Sequence, residues 1–152
     1  MKNFIFIILF FWVPNLSFAQ QKCIKVDLEE TEYLYPAEKA YLKKTGKPLK
    51  GNYEIRINRY QTQKSSYING LKNGKTEIYR NKKLSEIGIF QNDLREGDWK
   101  YYNSDGSIIK ITHYKNGLRE GEERLYKDGK IVETISYRAN HKVLDKWKKA
   151  LK

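Results

Sequence analysis

The chain has 152 residues, with 30 Lys and Arg against 18 Asp and Glu, a net charge of +12, one Cys and two His. This length predicts a single domain. The single cysteine excludes a fold held by intrachain disulfides and a multi-cysteine zinc site, and two histidines leave little material for a metal site or a relay of bases.

Residues 1–19 predict a secretory signal peptide. Lys2 precedes an unbroken apolar run over residues 4–13, and the small residues Ser17 and Ala19 stand where a signal peptidase cleaves. The run is shorter than the about 20 residues of a membrane-spanning helix. A buried core helix and an uncleaved membrane anchor are the alternatives. We expect a periplasmic or secreted mature chain with a charge of +11 and no transmembrane helix after cleavage.

Residues 20–45 are predicted to form an N-terminal arm and a short helix. Cys23 is expected to be an unpaired thiol in a loose arm, and a lipoprotein is not expected because residues 20–22 do not resemble a lipobox. Pro36 stands where a helix would begin, lysines stand near the end of residues 36–45, and Gly46 follows. This asymmetry is typical of a helix.

Residues 46–138 contain an internal repeat. Four glycines, Gly51, Gly74, Gly97 and Gly121, are spaced 23, 23 and 24 residues apart. Residues 67–74, 90–97 and 114–121 align without gaps, and residues 137–144 are a degenerate fourth copy. Asn-Gly and Asp-Gly pairs supply the positive φ of tight hairpin turns, and Ile- and Tyr-rich stretches between them favour strands. We predict a mostly-β fold, an elongated antiparallel meander of about three and a half hairpins.

Residues 139–152 are predicted to form a basic C-terminal helix. Val143, Leu144, Trp147 and Leu151 share one helical face, with lysines around it. Such a helix would cap the exposed end of a repeat array, as would the helix before the repeats. An amphipathic surface that binds anionic lipid is the alternative.

The repeat unit resembles the bacterial variant of the MORN repeat. The residues that carry the resemblance are Gly97, Trp99, Tyr102, Gly106, Ile108, Tyr114, Asn116, Gly117 and Gly121. The sequence departs from the pattern at Lys82, which replaces a turn glycine, and at Thr76 and Glu123, which replace tryptophan. The resemblance implies hairpins stacked side by side in a binding or scaffold module, and one bacterial branch is labelled antitoxin-like. It therefore implies a protein partner, and export would place that partner in the cell envelope.

No enzyme and no cofactor are predicted. Cys23 precedes the repeats, His113 lies within a strand, and adjacent carboxylates such as Glu122 and Glu123 point to opposite faces of a strand. Nucleic acid is not an expected partner of an exported chain, although the positive charge attracts any polyanion.

Two kinds of partner remain. A protein partner would be held by the aromatic anchors Trp99, Tyr101 and Tyr114, since aromatic residues dominate interface energetics. Alternatively, anionic phospholipid or acidic glycan would be bound by a basic rim on the turns. The predicted rim consists of Lys72, Lys75, Lys82, Lys83, Arg95 and Arg119.

Overall fold

The computed structural model describes residues 23–34 and 39–143. The predicted signal peptide and residues 144–152 of the predicted C-terminal helix lie outside the described residues. Within the described part of the chain, no helix is long and apolar enough to cross a membrane.

The described residues form β-strands connected by turns, with one 3-10 turn at Leu28–Glu30. The strands are β1 (Ile24–Asp27), β2 (Thr31–Leu34), β3 (Lys39–Leu42), β4 (Lys47–Pro48), β5 (Gly51–Asn58), β6 (Gln61–Ile68), β7 (Leu71–Arg80), β8 (Lys83–Gln91), β9 (Leu94–Tyr102), β10 (Ile108–Lys115), β11 (Leu118–Lys127), β12 (Lys130–Arg138) and β13 (His141–Lys142).

Ten strands form one sheet, in the order β1, β5 and then β6 to β13. Strands β5 to β13 are antiparallel neighbours in chain order, whereas β1 pairs with the free edge of β5 in parallel. Strands β2, β3 and β4 form a separate antiparallel sheet. The mostly-β meander of antiparallel hairpins is confirmed.

Two-residue turns with positive φ at both positions join most of the hairpins. Asn116 and Gly117, for example, have φ of 50° and 80°, which is the type I′ geometry that suits the twist of paired strands. Lys82 has φ of 64° in the equivalent turn after Asn81, so the turn survives the loss of its glycine. The other turns of this kind are at residues 69–70, 92–93, 128–129 and 139–140.

One row of side chains crosses the main sheet at mid-strand. Its members are Tyr53, Ser65, Thr76, Gly88, Trp99, Thr112, Glu123 and Ile135. Trp99 is fully buried, because its ring lies against Gly88 and packs edge-on against Phe90 and Tyr114, with centroids 5.1 and 6.2 Å away. We call the face that carries this row the covered face, because the small sheet packs on its N-terminal end, and we call the other the open face.

The predicted helix over residues 36–45 is wrong. Lys39–Leu42 is strand β3, and residues 43–46 turn back toward β4. The strand is favoured because it buries Ala40 and aligns its backbone with the turn at Gly70, whose carbonyl accepts a 2.9 Å hydrogen bond from the Ala40 N–H. Ala40 and Leu49 complete a core cluster with Tyr53, Ile55 and Tyr67. A small sheet, not a helix, therefore covers the N-terminal end.

The N-terminal arm and the start of the C-terminal segment also differ from expectation. Cys23 is exposed and unpaired, as predicted, but the residues after it are not loose, since β1 extends the main sheet. At the other end, residues 139–140 form a turn and β13 pairs with Tyr137 and Arg138. The described start of the predicted helix is therefore a turn and a strand.

We expect Gly88→Ala to lower the free energy of unfolding by about 1–3 kcal/mol, as overpacking does. The added Cβ would lie 2.3 Å from the Trp99 ring, and the φ of Gly88 is not among the positive ones, so backbone strain does not contribute. Urea unfolding measures the change. In a Trp99→Leu background the same substitution should cost much less, and an equal cost in both backgrounds would contradict the packing argument.

Candidate functional site

A row of alternating aromatic and basic side chains runs along the covered face near one end of the strands. Each aromatic residue lies opposite a basic residue on the following strand. The cross-strand pairs are Tyr67 with Lys72, Phe90 with Arg95, Tyr114 with Arg119, and Tyr137 with Lys142. We call this set the aromatic–cation row.

Three of the four cations of this row also lie over the aromatic ring of the next repeat unit. The contacts, measured from the cationic centre to the ring centroid, are Lys72 with Phe90 (5.2 Å), Arg95 with Tyr114 (5.3 Å) and Arg119 with Tyr137 (4.1 Å). Arg95 also lies 4.5 Å from the Trp99 ring. Cation–π attraction at this range fixes each side chain in place.

Two of the three predicted aromatic anchors are buried. Trp99 is fully buried and donates its indole N–H to the Ile89 carbonyl oxygen at 3.2 Å, and Tyr114 is only 8% exposed. Tyr101 is half-buried beneath Lys110, whose ammonium lies 4.4 Å from its ring. Arg95 would have to move before a partner touched Trp99, so the anchor role of these residues stays a prediction.

The predicted basic rim divides into three groups. Lys82 and Lys83 lie at the turn between β7 and β8, where Lys83 donates to the Ser104 carbonyl oxygen. Lys75 lies on the open face and forms an ion pair with Glu77. Lys72, Arg95 and Arg119 belong to the aromatic–cation row at the opposite ends of the strands. The structure therefore brings together only these last three.

The open face carries a second cross-strand row, which continues over nine strands. In order, its members are Lys25, Glu54, Lys64, Glu77, Ile87, Lys100, Ile111, Arg124 and Thr134. Its first four residues alternate in charge, and Glu54 forms ion pairs with Lys25 at 3.8 Å and with Lys64 at 3.7 Å. This half of the face neutralises its own charge.

The second half of that row has a different composition. Ile87 and Ile111 alternate with Lys100 and Arg124, and Ile89, two residues after Ile87, is 53% exposed. We call these five residues the isoleucine–cation stripe. The stripe was not among the predicted sites, although the incomplete alternation of polar and apolar residues in these strands indicates that both faces carry apolar groups.

Reactive groups are dispersed over the described residues. His113 Nδ1 lies 2.7 Å from Asp98 Oδ1 on the open face, and both side chains are about half exposed. Burial and the nearby Glu54 raise the pKa of the Cys23 thiol, which lowers its reactivity at neutral pH. In the described ranges, no three His, Cys, Asp or Glu side chains are placed to hold a metal ion.

We expect Tyr101→Phe to resist alkaline unfolding better than the parent chain. Burial, together with the 3.3 Å contact between the Tyr101 and Tyr114 hydroxyls, raises the pKa of Tyr101 above its ordinary value of 10.0. The unfolded chain therefore ionises first, and stability present below about pH 10 is lost as the pH rises. Urea unfolding between about pH 9 and 12 should show a shallower loss in the variant.

Tyr60→Phe is the matched control, because Tyr60 is 55% exposed. Equal pH profiles for the parent chain and both variants would contradict the assignment of this loss to Tyr101.

The geometry thus defines two extended surfaces on opposite faces of one sheet, the aromatic–cation row and the isoleucine–cation stripe. Both are formed by side chains from several repeat units rather than by one loop or pocket. No model of a known protein family and no curated protein matches the chain.

Proposed function

We propose that the chain is an exported, non-catalytic repeat module that binds a protein partner at the cell envelope through the isoleucine–cation stripe. The observation that carries this proposal is the change of composition along one open-face row. The first half is a self-neutralised charge lattice around Glu54, whereas the second half alternates isoleucine with Lys100 and Arg124.

The stripe favours a protein over a small molecule because its side chains come from four neighbouring strands. Contiguous apolar surface is typical of interaction sites, and here Ile89 is more than half exposed beside the half-buried Ile87 and Ile111. Lys100 is exposed, and the ion pair that Arg124 forms with Glu122 is long, at 3.8 Å. A complementary partner would present apolar side chains with carboxylates beside them.

The resemblance to bacterial MORN-variant repeats supports the same class of function. Members of that family are mostly binding or scaffold modules, and an antitoxin-like branch implies a proteinaceous target. The predicted signal peptide favours an immunity-like role against a protein that arrives in the envelope over neutralisation of a cytoplasmic toxin.

Ile89→Glu is expected to weaken partner binding by about tenfold or more, because it removes an apolar contact and places a carboxylate against those of the complementary partner. Ile68→Glu is the matched control: it makes the same change at a residue that is 59% exposed and lies outside the stripe. Cross-linking of the mature chain in its own cells would identify the partner. The dissociation constants of the purified partner for the parent chain and for the two variants would then be compared.

Binding should persist at about 0.5 M salt, where the Debye length falls to a few Å, since apolar contacts resist screening. Equal affinities of the Ile89 and Ile68 variants, or complete loss of binding in high salt, would contradict an interface at the stripe.

A second candidate function is binding of anionic phospholipid or acidic glycan. It is favoured by Lys72, Arg95 and Arg119, which the fold aligns on one face. This candidate uses the covered face, so it does not compete with the first for the same side chains.

A further inference from the structure

We propose that the aromatic–cation row binds a linear acidic polysaccharide that carries a carboxylate on every second sugar. The proposal rests on the second candidate function, specifies its ligand class, and concerns the face of the sheet opposite the proposed protein interface. It depends on the spacing of four basic residues, Lys72, Arg95, Arg119 and Lys142, and on the ring contacts and missing ion pairs of the two arginines among them.

The four cations recur at a regular distance. They lie on β7, β9, β11 and β13, so neighbouring cations are two strands apart. With about 4.8 Å between strands, this places one positive charge about every 10 Å along the row. An extended polymer of alternating neutral and acidic sugars presents carboxylates at a similar interval.

The arginines are held in a form suited to carboxylates. Arg95 lies against Trp99 and Tyr114, and Arg119 against Tyr137. Contact with the rings limits the movement of each guanidinium, and the N–H groups outside that contact can donate to a carboxylate. The Arg95 side chain has one hydrogen bond within the described structure, donated to the Tyr114 hydroxyl at 3.2 Å.

The acidic residues of the repeat do not neutralise these arginines. Glu96 and Glu120, the residues next in sequence, accept 2.9 Å hydrogen bonds from the backbone N–H groups of Asn116 and Ala139 in the following turn. Among the ion pairs of the described residues, none joins Arg95 or Arg119 to a carboxylate.

Lys72 differs, because Asp93 Oδ1 lies 3.6 Å from its ammonium group and its side chain is only 20% exposed. The strongest contacts are therefore expected at the two arginines, with Lys142 extending the row at an exposed position.

Twist distinguishes a polymer from a membrane as the ligand. Neighbouring strands of a sheet rotate by about 20–25°, so six strand steps from Lys72 to Lys142 turn the side chains through more than a right angle. A planar bilayer touches only part of such a row, whereas a flexible linear chain follows it.

A peptide is a poorer match than a glycan. An extended peptide that turns every second side chain toward the row presents carboxylates about every 7 Å, which is shorter than the interval of about 10 Å between the cations. Acidic groups on alternate sugars match that interval more closely.

The test measures binding of hyaluronan oligosaccharides, which carry a carboxylate on alternate sugars, to the mature chain by titration calorimetry at low salt. Neutral dextran of equal length should not bind. Arg95→Gln and Arg119→Gln should each weaken hyaluronan binding by about tenfold, since each removes a charge-assisted contact. The double variant Lys82→Gln, Lys83→Gln removes two charges at the opposite ends of the strands, as the double variant Arg95→Gln, Arg119→Gln does within the row, and it should bind normally.

Arg95→Lys is a control that separates loss of binding from unfolding. It keeps the positive charge beside the rings and removes the guanidinium group that can form two hydrogen bonds to a carboxylate. It should retain the parent unfolding transition and bind with intermediate affinity. Ile89→Glu should leave hyaluronan binding unchanged, which separates this site from the proposed protein interface.

Three results would overturn the proposal: no hyaluronan binding by the parent chain, equal losses in the arginine and Lys82/Lys83 variants, or tighter binding of phosphatidylglycerol vesicles or poly-glutamate than of hyaluronan.

Discussion

A two-stranded hairpin cannot bury its own side chains, and the contact between neighbouring hairpins is the constraint on which this structure depends. Trp99 shows how the contact works: its ring fills the space that Gly88 leaves open on the preceding strand and meets Phe90 and Tyr114 at its edges. In the units that lack this tryptophan, Thr76 and Glu123 occupy the equivalent position. They bury polar groups instead, through hydrogen bonds of 2.8 Å to Ser65 and 2.7 Å from Thr112. The same buried position is therefore filled by an aromatic ring in one unit and by hydrogen-bonded polar side chains in two others.

Backbone hydrogen bonds that recur with the period of the repeat link each turn to the unit before it. The backbone N–H groups of Asp93, Gly117 and Asn140 donate to carbonyl oxygens of Lys72, Arg95 and Arg119, one unit earlier. Glu96 and Glu120 accept hydrogen bonds from backbone N–H groups of the same turns. Each follows its arginine directly in a strand and therefore points to the opposite face, away from the arginines of the row. The chain has an excess of positive charge, but the fold decides where that excess is not neutralised.

The two surfaces of the sheet are suited to different partners because apolar contact dominates one and positive charge dominates the other. The open face offers apolar contact with flanking cations, which resists salt and favours a protein surface. The covered face offers evenly spaced cations over buried rings, which favours an extended polyanion. Since the surfaces lie on opposite sides of one layer, both can be occupied at once. A module that bound both proposed partners would connect a protein to an acidic matrix.

The sequence alone determined the strands, the hairpin turns and the repeat, because Asn-Gly pairs and a 23-residue period act through local backbone geometry. It also determined that Glu122 and Glu123 face opposite sides. It did not determine the N-terminal sheet: residues 36–45 have the local signals of a helix, and only burial of Ala40 against the Gly70 turn makes β3 the better structure. The repeat alignment placed Lys72, Arg95 and Arg119 in one column, each two residues before a repeat glycine. It did not determine that Arg95 and Arg119 contact the rings of Tyr114 and Tyr137, because these contacts join neighbouring repeat units and depend on how the hairpins pack.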